Sequence, residues 1–364
     1  MLLLRLGCGV DKAPRGPEIS RPSLGMREAV YFQMIDDLLQ GRDWLLADGA
    51  TGTNLFDMGL TAGDAPELWN ETHPERIRAL HQSFVDAGSD LILTNSFGAN
   101  RRRLMLHGAE GRTRALNRRA AEIARAVADA APRRVIVAGS VGPTGDLFDP
   151  LGPMTEAEAT DVFAEQIEGL REGGADVVWI ETMSAMEEMR AAATAAGKVG
   201  MPYIVTASFD TAGSTMMGVT PAAMIAEVSG FRPGPHGIGC NCGVGASDLL
   251  CSVLAMTAAV PDAIVIAKAN CGVPQVGAGG VTYTGTPEIM ADYARLARDA
   301  GARIIGGCCG TRPEHVRAMR AALDSHVRGE RPTPAQIVAA IGALASPPAR
   351  AGAAAERRAG RRRG

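Results

Sequence analysis

Short apolar segments alternate with longer amphipathic segments along most of the chain, and this alternation restricts the possible folds more than any other feature. Eight of the short segments are rich in Val, Ile and Leu and apolar on both faces, which is typical of buried parallel strands. They span Trp44–Asp48, Leu91–Thr94, Val135–Gly139, Val177–Glu181, Tyr203–Ser208, Gly237–Cys240, Ala263–Ala267 and Arg303–Gly306. This pattern predicts a single-domain α/β protein with the (β/α)8 fold, the TIM barrel.

The amphipathic segments between these strands predict the outer helices of the barrel. They span Pro74–Ala87, Ala109–Ala131, Thr155–Glu172, Ala185–Val199, Asp248–Ala259 and Pro287–Ala300. A further helix is expected over Pro313–His326, with Thr311 as its N-cap and Pro313 in its first turn. The alternative fold, an open doubly wound sheet, requires a glycine-rich phosphate loop after the first strand. The GATGTN sequence at 49–54 fits the GxGxxG pattern poorly, so the closed barrel is favoured.

The two ends of the chain differ from the rest in composition. We expect residues 1–25 to be a disordered or non-native extension, with Met26 as an alternative start, and residues 26–330 to form the barrel. A short helix is expected within 331–345, and the Ala- and Arg-rich residues 346–364 are expected to form a disordered tail. The first 25 residues carry a net charge of +2 and the tail +5, which leaves −10 on the body of the chain. An acidic body argues against a nucleic-acid partner.

Hydropathy and cysteine content indicate a cytoplasmic protein. No apolar run approaches the ~20 residues that a membrane helix needs, so no membrane partner is expected. The seven cysteines are an odd number and far fewer than a disulfide-stapled secreted domain contains. The cysteines are therefore interpreted as reduced thiols, of which some are candidate metal ligands.

Polar residues and glycines follow each predicted strand. In a TIM barrel, the carboxyl ends of the strands meet at one mouth, where the catalytic groups lie. Any one of these strand ends is explained by ordinary turn chemistry, but their recurrence after all eight strands predicts a polar site. Asp48 and Glu181 are candidates for binding the ammonium group of an amino-acid substrate, and backbone N–H groups of the glycine-rich ends for binding its carboxylate.

Two adjacent cysteines, Cys308 and Cys309, lie between glycines at the end of the last predicted strand. Neighbouring side chains of a regular strand point to opposite faces, but flanking glycines permit a backbone that turns both thiols inward. One further thiolate would complete a three-cysteine zinc site with an open fourth position, as in reactive zinc centres. A redox pair formed by the two cysteines is the alternative.

Three other cysteines compete for the place of the third ligand. Cys240 is expected within its strand, Cys242 in the loop beyond it, and Cys271 at another strand end; position alone favours Cys242 without excluding the others. Cys8 and Cys251 are interpreted as small buried apolar residues. A zinc site of this kind makes an incoming thiol available as thiolate near neutral pH. Alkyl transfer to that sulfur then needs no catalytic residue beyond the metal.

Several motifs together resemble the homocysteine S-methyltransferases, a family that includes betaine–homocysteine methyltransferase and the first module of cobalamin-dependent methionine synthase. They are LLADGATGT, ILTNSFGANRRRL, AGSVGPTG, WIETM, the NCG at 241–243 and GARIIGGCCG, within about Leu45 to Leu323. The resemblance implies that Cys242, Cys308 and Cys309 hold one zinc ion and that homocysteine is the methyl acceptor. It further implies that Asp48, Gly49, Thr94 and Glu181 bind the amino-acid end of homocysteine. Asn95, Phe97, Ser140, Asn241 and Asn270 are the expected pocket lining.

The resemblance leaves the methyl donor open between betaine, another methyl-onium compound and methylcobalamin. Betaine usually requires an aromatic cage, but only 4% of the residues are aromatic, and Phe97 is followed by glycine where the betaine enzymes carry another aromatic residue. Candidate cage residues elsewhere are Trp44, Trp69, Trp179 and Phe209. The TNSFGAN, GPTG and SFDTAGSTMMG motifs look closer to methionine synthase. Because this chain is too short to add a cobalamin domain, a corrinoid donor is expected on a separate protein. A non-catalytic zinc- or thiol-binding barrel is the alternative function.

Overall fold

The computed structural model describes residues 35, 37–277 and 280–346, which form a parallel β-barrel surrounded by helices. Residues 1–25, Met26 and the tail beyond Ser346 lie outside the described residues. Within the described ranges, no helix is long and apolar enough to cross a membrane.

The barrel contains eight parallel strands, as the sequence predicts. The barrel strands are β1 (Leu45–Leu46), β2 (Leu91–Leu93), β3 (Ile136–Val141), β4 (Val177–Met183), β5 (Tyr203–Ala207), β6 (Gly237–Cys242), β7 (Val265–Ala269) and β10 (Ala302–Gly307). Strand order around the sheet is β1-β10-β7-β6-β5-β4-β3-β2, and a parallel bridge between Ala47 and Leu91 joins the two ends. The prediction of a single-domain (β/α)8 barrel is confirmed.

Helices pack around the outside of the barrel. They are α1 (Gly52–Asp57), α2 (Trp69–Thr72), α3 (Pro74–Ala87), α4 (Arg101–Leu104), α5 (Thr113–Ala130), α6 (Glu156–Glu172), α7 (Met186–Val199), α8 (Pro221–Val228), α9 (Ala246–Ala259), α10 (Pro287–Asp299), α11 (Pro313–Ser325) and α12 (Pro334–Ile341). Short 3-10 turns cover Pro66–Leu68, Met105–His107 and Glu110–Arg112.

Adjacent strand residues alternate between two apolar clusters. Leu45 and Leu91 belong to a cluster that fills the barrel, while their neighbours Leu46 and Ile92 pack in the layer between strands and helices. Trp179 is the largest side chain of the inner cluster, and its indole N–H donates to Thr206 Oγ1 at 3.0 Å. Because the described side chains fill the barrel interior, as in other barrels of this size, they leave room for a ligand at the mouth and not inside the barrel.

Several local features differ from the sequence prediction. Helix α8 was not predicted, because its eight residues follow a long polar segment and are too few to display a helical period. A hairpin of β8 (Pro274–Gly277) and β9 (Gly280–Tyr283) is inserted after β7. The N-cap of α11 is Arg312 and not Thr311. Thr311 still belongs to the preceding turn, where its N–H donates to the Cys308 carbonyl.

Candidate active site

A cavity of about 1060 Å³ opens at the carboxyl ends of the barrel strands. This volume is at the upper end of what small-molecule sites usually occupy. The cysteines and most of the other residues predicted from the sequence lie in its wall. They are Gly49, Thr94, Asn95, Phe97, Ser140, Glu181, Cys242, Cys308 and Cys309.

Cys242, Cys308 and Cys309 converge on one point in this wall. Their three sulfur atoms all lie within 4.8 Å of one another, and Cys242 Sγ is 3.9 Å from Cys309 Sγ. The sequence predicted Cys242 in the loop beyond β6, but Cys242 is the last residue of that strand. Its φ of +61° is rare for a residue other than glycine. This backbone conformation ends the regular strand at the cysteine itself.

Glycines on both sides of the Cys308–Cys309 pair make its conformation possible. A Cβ atom on Gly307 would lie 2.2 Å from Thr311 Cγ2. Gly310 has a φ of +78°, and a Cβ atom there would lie 2.3 Å from the ring of Tyr283. The Cys308 N–H donates to the Ala269 carbonyl at 2.6 Å, which fixes the pair against the end of β7. The two adjacent thiols therefore share one side of the mouth only because no side chain occupies the flanking positions.

The cysteine cluster favours one thiolate over three. Hydrogen bonds from the Cys242 and Cys308 thiols and from the Tyr283 hydroxyl lower the pKa of Cys309 to about 3. Hydrogen bonding to Cys308 and Cys309, followed by burial, raises the pKa of Cys242. A second and third thiolate at this spacing repel the first, so a cation is needed to hold all three. Three soft sulfur donors in one cluster fit Zn²⁺, which prefers such ligands.

The other described cysteines point away from this cluster. Cys240 lies in the helix-facing apolar layer with its sulfur 3.8 Å from the Leu249 carbonyl. Cys271 is also buried in that layer, and burial raises its pKa to about 12. Cys251 is half-buried on α9, and Cys8 lies outside the described residues. Of the three candidates for the third ligand position, the structure brings Cys242 to the pair.

Glu181 is held in the cavity wall by side chains from strands β3 and β6. One carboxylate oxygen accepts a hydrogen bond from Ser140 Oγ, and the other accepts from Asn241 Nδ2 at 3.3 Å. The Ser140 N–H in turn donates to Thr94 Oγ1 at 3.0 Å. Burial raises the pKa of Glu181 to about 7, because desolvation outweighs the opposing charge of Lys268. The carboxylate is positioned to receive a cation.

Asp48 lies directly beneath the cavity wall and is 1% exposed. Its Oδ2 accepts a hydrogen bond from the Leu93 N–H at 2.7 Å. Oδ1 is buried and accepts no hydrogen bond from the described residues, although Lys268 Nζ lies 3.3 Å away. Burial raises the pKa of Asp48, and the charge of Lys268 opposes that shift. Oδ1 is thus the carboxylate oxygen that faces the Lys268 ammonium, just behind the cavity wall.

Sequence reasoning missed Lys268, which is 3% exposed and lies near the end of β7. Its Nζ donates to the carbonyls of Gly307 at 2.5 Å and Gly49 at 3.2 Å. Burial lowers the pKa of Lys268, but the negative groups Asp48, Cys308 and Glu181 raise it by more, so the side chain stays charged. The available signal was a lysine placed directly after the apolar segment Ala263–Ala267, where a buried charge requires partners.

Two predicted lining residues lie behind the cavity wall instead of in it. Asn241 is 1% exposed and its amide bonds Thr182 and Glu181, so that it supports the carboxylate from behind. Asn270 is buried and its Nδ2 donates to the Gly243 carbonyl at 2.6 Å. Both amides bond the ends of other strands, and neither residue lines the large cavity.

The aromatic residues weighed for a betaine cage lie elsewhere in the fold. Trp179 fills the barrel interior, and Trp44 lies under the guanidinium groups of Arg42 and Arg320. Trp69 and Phe209 are buried in the layer between strands and helices. Within the described part of the chain, the aromatic side chains lining the large cavity are Phe56, Phe97 and Tyr283.

A TIM barrel with polar and sulfur-bearing groups at the carboxyl ends of its strands has the architecture of a barrel enzyme. The profile of the homocysteine S-methyltransferase family matches residues 45–323, and the chain belongs to this family. The family that the sequence motifs resemble is thus confirmed.

Relatives of known name and structure are similar over most of the chain. Methionine synthase of Mycobacterium leprae (strain TN) is 33% identical over 311 residues, which are 79% of this chain and 25% of that protein. Methionine synthase of Mycobacterium tuberculosis is 32% identical over 306 residues, which are again 79% of this chain and 25% of that protein. The match thus spans a quarter of the length of these relatives.

The homocysteine methyltransferase MmuM from Escherichia coli has a similar structure. Its oxidized form is 26% identical, with a TM-score of 0.65 over 79% of this chain and 98% of that one. Its metallated form is 25% identical, with a TM-score of 0.63 over 79% of this chain and 99% of that one.

Proposed function

We propose that this protein transfers a methyl group to the sulfur of homocysteine and forms methionine, with one zinc ion held by Cys242, Cys308 and Cys309. The observation that carries the proposal is the three-sulfur cluster, which shares one cavity with a buried carboxylate. Similarity to the metallated MmuM homocysteine methyltransferase supports a metal at this cluster. When bound, the zinc ion would stabilise the thiolate form of the incoming thiol at neutral pH.

The chain's own residues would position the amino-acid end of homocysteine. Glu181 in the cavity wall and Asp48 buried directly beneath it are suited to the ammonium group, since both are carboxylic acids at this end of the cavity. Gly49 and Thr94 line the same region. With the ammonium fixed, the sulfur attacks the methyl carbon in line; the new S–C bond forms as the bond from methyl to donor breaks. Because the thiol proton would be released to solvent when the thiol binds as thiolate, no proton moves during methyl transfer itself, and the residues contribute by orienting the two reactants.

The donor end of the cavity favours a methyl group presented by a second protein. Exposed apolar side chains lie on the segments that follow four different barrel strands, and these are Phe56, Phe97, Met105, Leu106, Leu147, Leu151, Met216 and Met217. Exposed apolar clusters of this kind mark interaction sites. We propose that a separate protein carrying a methylated corrinoid docks on this rim, and that betaine or another methyl-onium compound is the weaker donor.

Parallel assays with four donors test both parts of the proposal. Zinc-loaded protein and homocysteine are incubated with betaine, S-methylmethionine, methylcobalamin or a methylated corrinoid protein, and methionine is quantified by mass spectrometry. We expect methionine to form fastest with the corrinoid protein. Faster turnover with betaine or S-methylmethionine would overturn the donor assignment alone. Zinc and homocysteine binding without methionine from any donor would instead identify a non-catalytic barrel and overturn the function.

The pH dependence of homocysteine binding follows from Glu181. Its pKa is raised to about 7 by burial, so the side chain is ionised above that pH and loses its charge below it. The KM for homocysteine is therefore expected to rise as the pH falls through about 7, while Glu181→Gln flattens this step. Steady-state kinetics across the pH range, with zinc content measured at each point, check the prediction; an identical step in Glu181→Gln contradicts it.

A further inference from the structure

The buried ammonium of Lys268 is a charged group at the site for which methyl transfer has no direct use. It is an ion-pair partner of Asp48, and two of its protons are donated to backbone carbonyls of Gly49 and Gly307. Those carbonyls belong to the residue after Asp48 and the residue before Cys308. The lysine therefore ties the substrate-binding strand end to the cysteine-bearing one without itself being a metal ligand.

The charges around the proposed ammonium seat balance only when Lys268 is counted. Asp48, Cys308 and Glu181 act on the Lys268 ammonium, and Asp48 and Glu181 are the buried carboxylic acids among them. Two carboxylates and one fixed ammonium leave a net charge of one negative unit, which matches a single substrate ammonium. An α-amino acid also brings a carboxylate, separated from its ammonium by one carbon atom. Seating that ammonium against two unbalanced acids would place the substrate carboxylate in a repulsive field, because like charges interact strongly in a desolvated site.

We propose that Lys268 is a specificity-determining and positioning residue that lets the pocket accept an amino-acid thiol, by compensating one of the two acids that surround the substrate ammonium. The inference rests on the proposed function, since it takes homocysteine as the acceptor. According to the proposal, Lys268 makes the pocket bind a thiol that carries both an ammonium and a carboxylate group more tightly than an aminothiol that carries the ammonium alone.

The test compares homocysteine with 3-mercaptopropylamine, which is the same thiol without its carboxylate. Dissociation constants of both ligands are measured by calorimetry on zinc-loaded wild type, Lys268→Gln and Lys268→Arg. In Lys268→Gln, the preference for homocysteine over the amine is expected to fall by about 10-fold or more, which is the effect of one buried charge of modest strength. Lys268→Arg keeps the charge and is expected to keep most of the preference.

If the role of Lys268 were purely structural, Lys268→Gln would weaken the binding of both ligands to the same extent. The ratio of the two dissociation constants would then be unchanged, and that result would overturn the proposal. The double variant Asp48→Asn/Lys268→Gln removes both members of the ion pair, keeps the net charge, and guards against misfolding caused by an uncompensated Asp48. It is expected to recover most of the wild-type ratio; a ratio like that of Lys268→Gln alone would also overturn the proposal. If the wild-type protein binds neither thiol, that result contradicts the proposed function of the protein, whereas an unchanged ratio contradicts the role of Lys268.

Discussion

Cys308→Ala and Cys242→Ala are each expected to lose the zinc ion and to reduce methionine formation by more than about 100-fold. Removing a group that merely supports a metal ligand typically costs 10–100-fold, and removal of a ligand itself costs more. Alanine leaves two sulfurs of a cluster whose three sulfurs lie within 4.8 Å of one another. Metal analysis of the purified variants and the methionine assay measure the two losses together.

Cys251→Ala and Cys271→Ala are matched controls for the cysteine variants. Cys251 lies on helix α9 and Cys271 packs in the apolar layer outside the cluster. Both variants are expected to keep one zinc ion per chain, although replacing the buried Cys271 reduces the stability of the protein somewhat. Thiol titration with and without a chelator separates the zinc site from a redox pair, because zinc should mask three thiols. A metal-free Cys308→Ala protein with the wild-type rate would contradict the assignment.

Glu181→Gln is expected to raise the KM for homocysteine by about 10- to 100-fold while kcat falls less. The amide keeps the size of the side chain and an acceptor for Ser140, but it removes the charge that attracts the substrate ammonium; a charge-assisted hydrogen bond contributes about 1.5–3 kcal/mol. The variant should also be at least as stable as wild type, because desolvation disfavours the charged carboxylate.

A substrate analogue provides the control for Glu181. Binding of 4-mercaptobutyrate, which lacks the amino group, should change little between wild type and Glu181→Gln. Calorimetric titration of both thiols measures the difference. Equal weakening of both ligands would mean that Glu181 shapes the pocket and does not bind the ammonium.

The barrel was predictable because its signals are local. Each strand is buried on both faces, so a segment such as VVWI at 177–180 consists of apolar residues and is recognisable without knowing which strands it pairs with. Helix α8 and the β8–β9 hairpin escaped prediction because short elements inside a long polar connection have no period to read. The shift of the α11 N-cap from Thr311 to Arg312 reflects a tertiary contact, in which the turn after Cys309 uses the backbone of Thr311.

The site was predictable to the level of strand ends but not of side-chain direction. Position alone left Cys240, Cys242 and Cys271 as alternatives, because the choice depends on strand register and on the positive φ of Cys242. The same limitation placed Asn241 and Asn270 in the cavity wall, whereas their amides support it from behind. Lys268 was missed because its function depends on Asp48 and Gly307, which lie far from it in sequence and meet it only in the closed barrel.

The most direct test of the central proposal is methionine formation from homocysteine by one protein sample before zinc removal, after zinc removal and after zinc is restored. The donor is whichever of the four supports turnover. We expect activity to disappear when the chelator has removed the metal and to return in proportion to added zinc, up to one equivalent per chain. A metal-free sample that forms methionine at the original rate would contradict methyl transfer at a zinc site built from Cys242, Cys308 and Cys309.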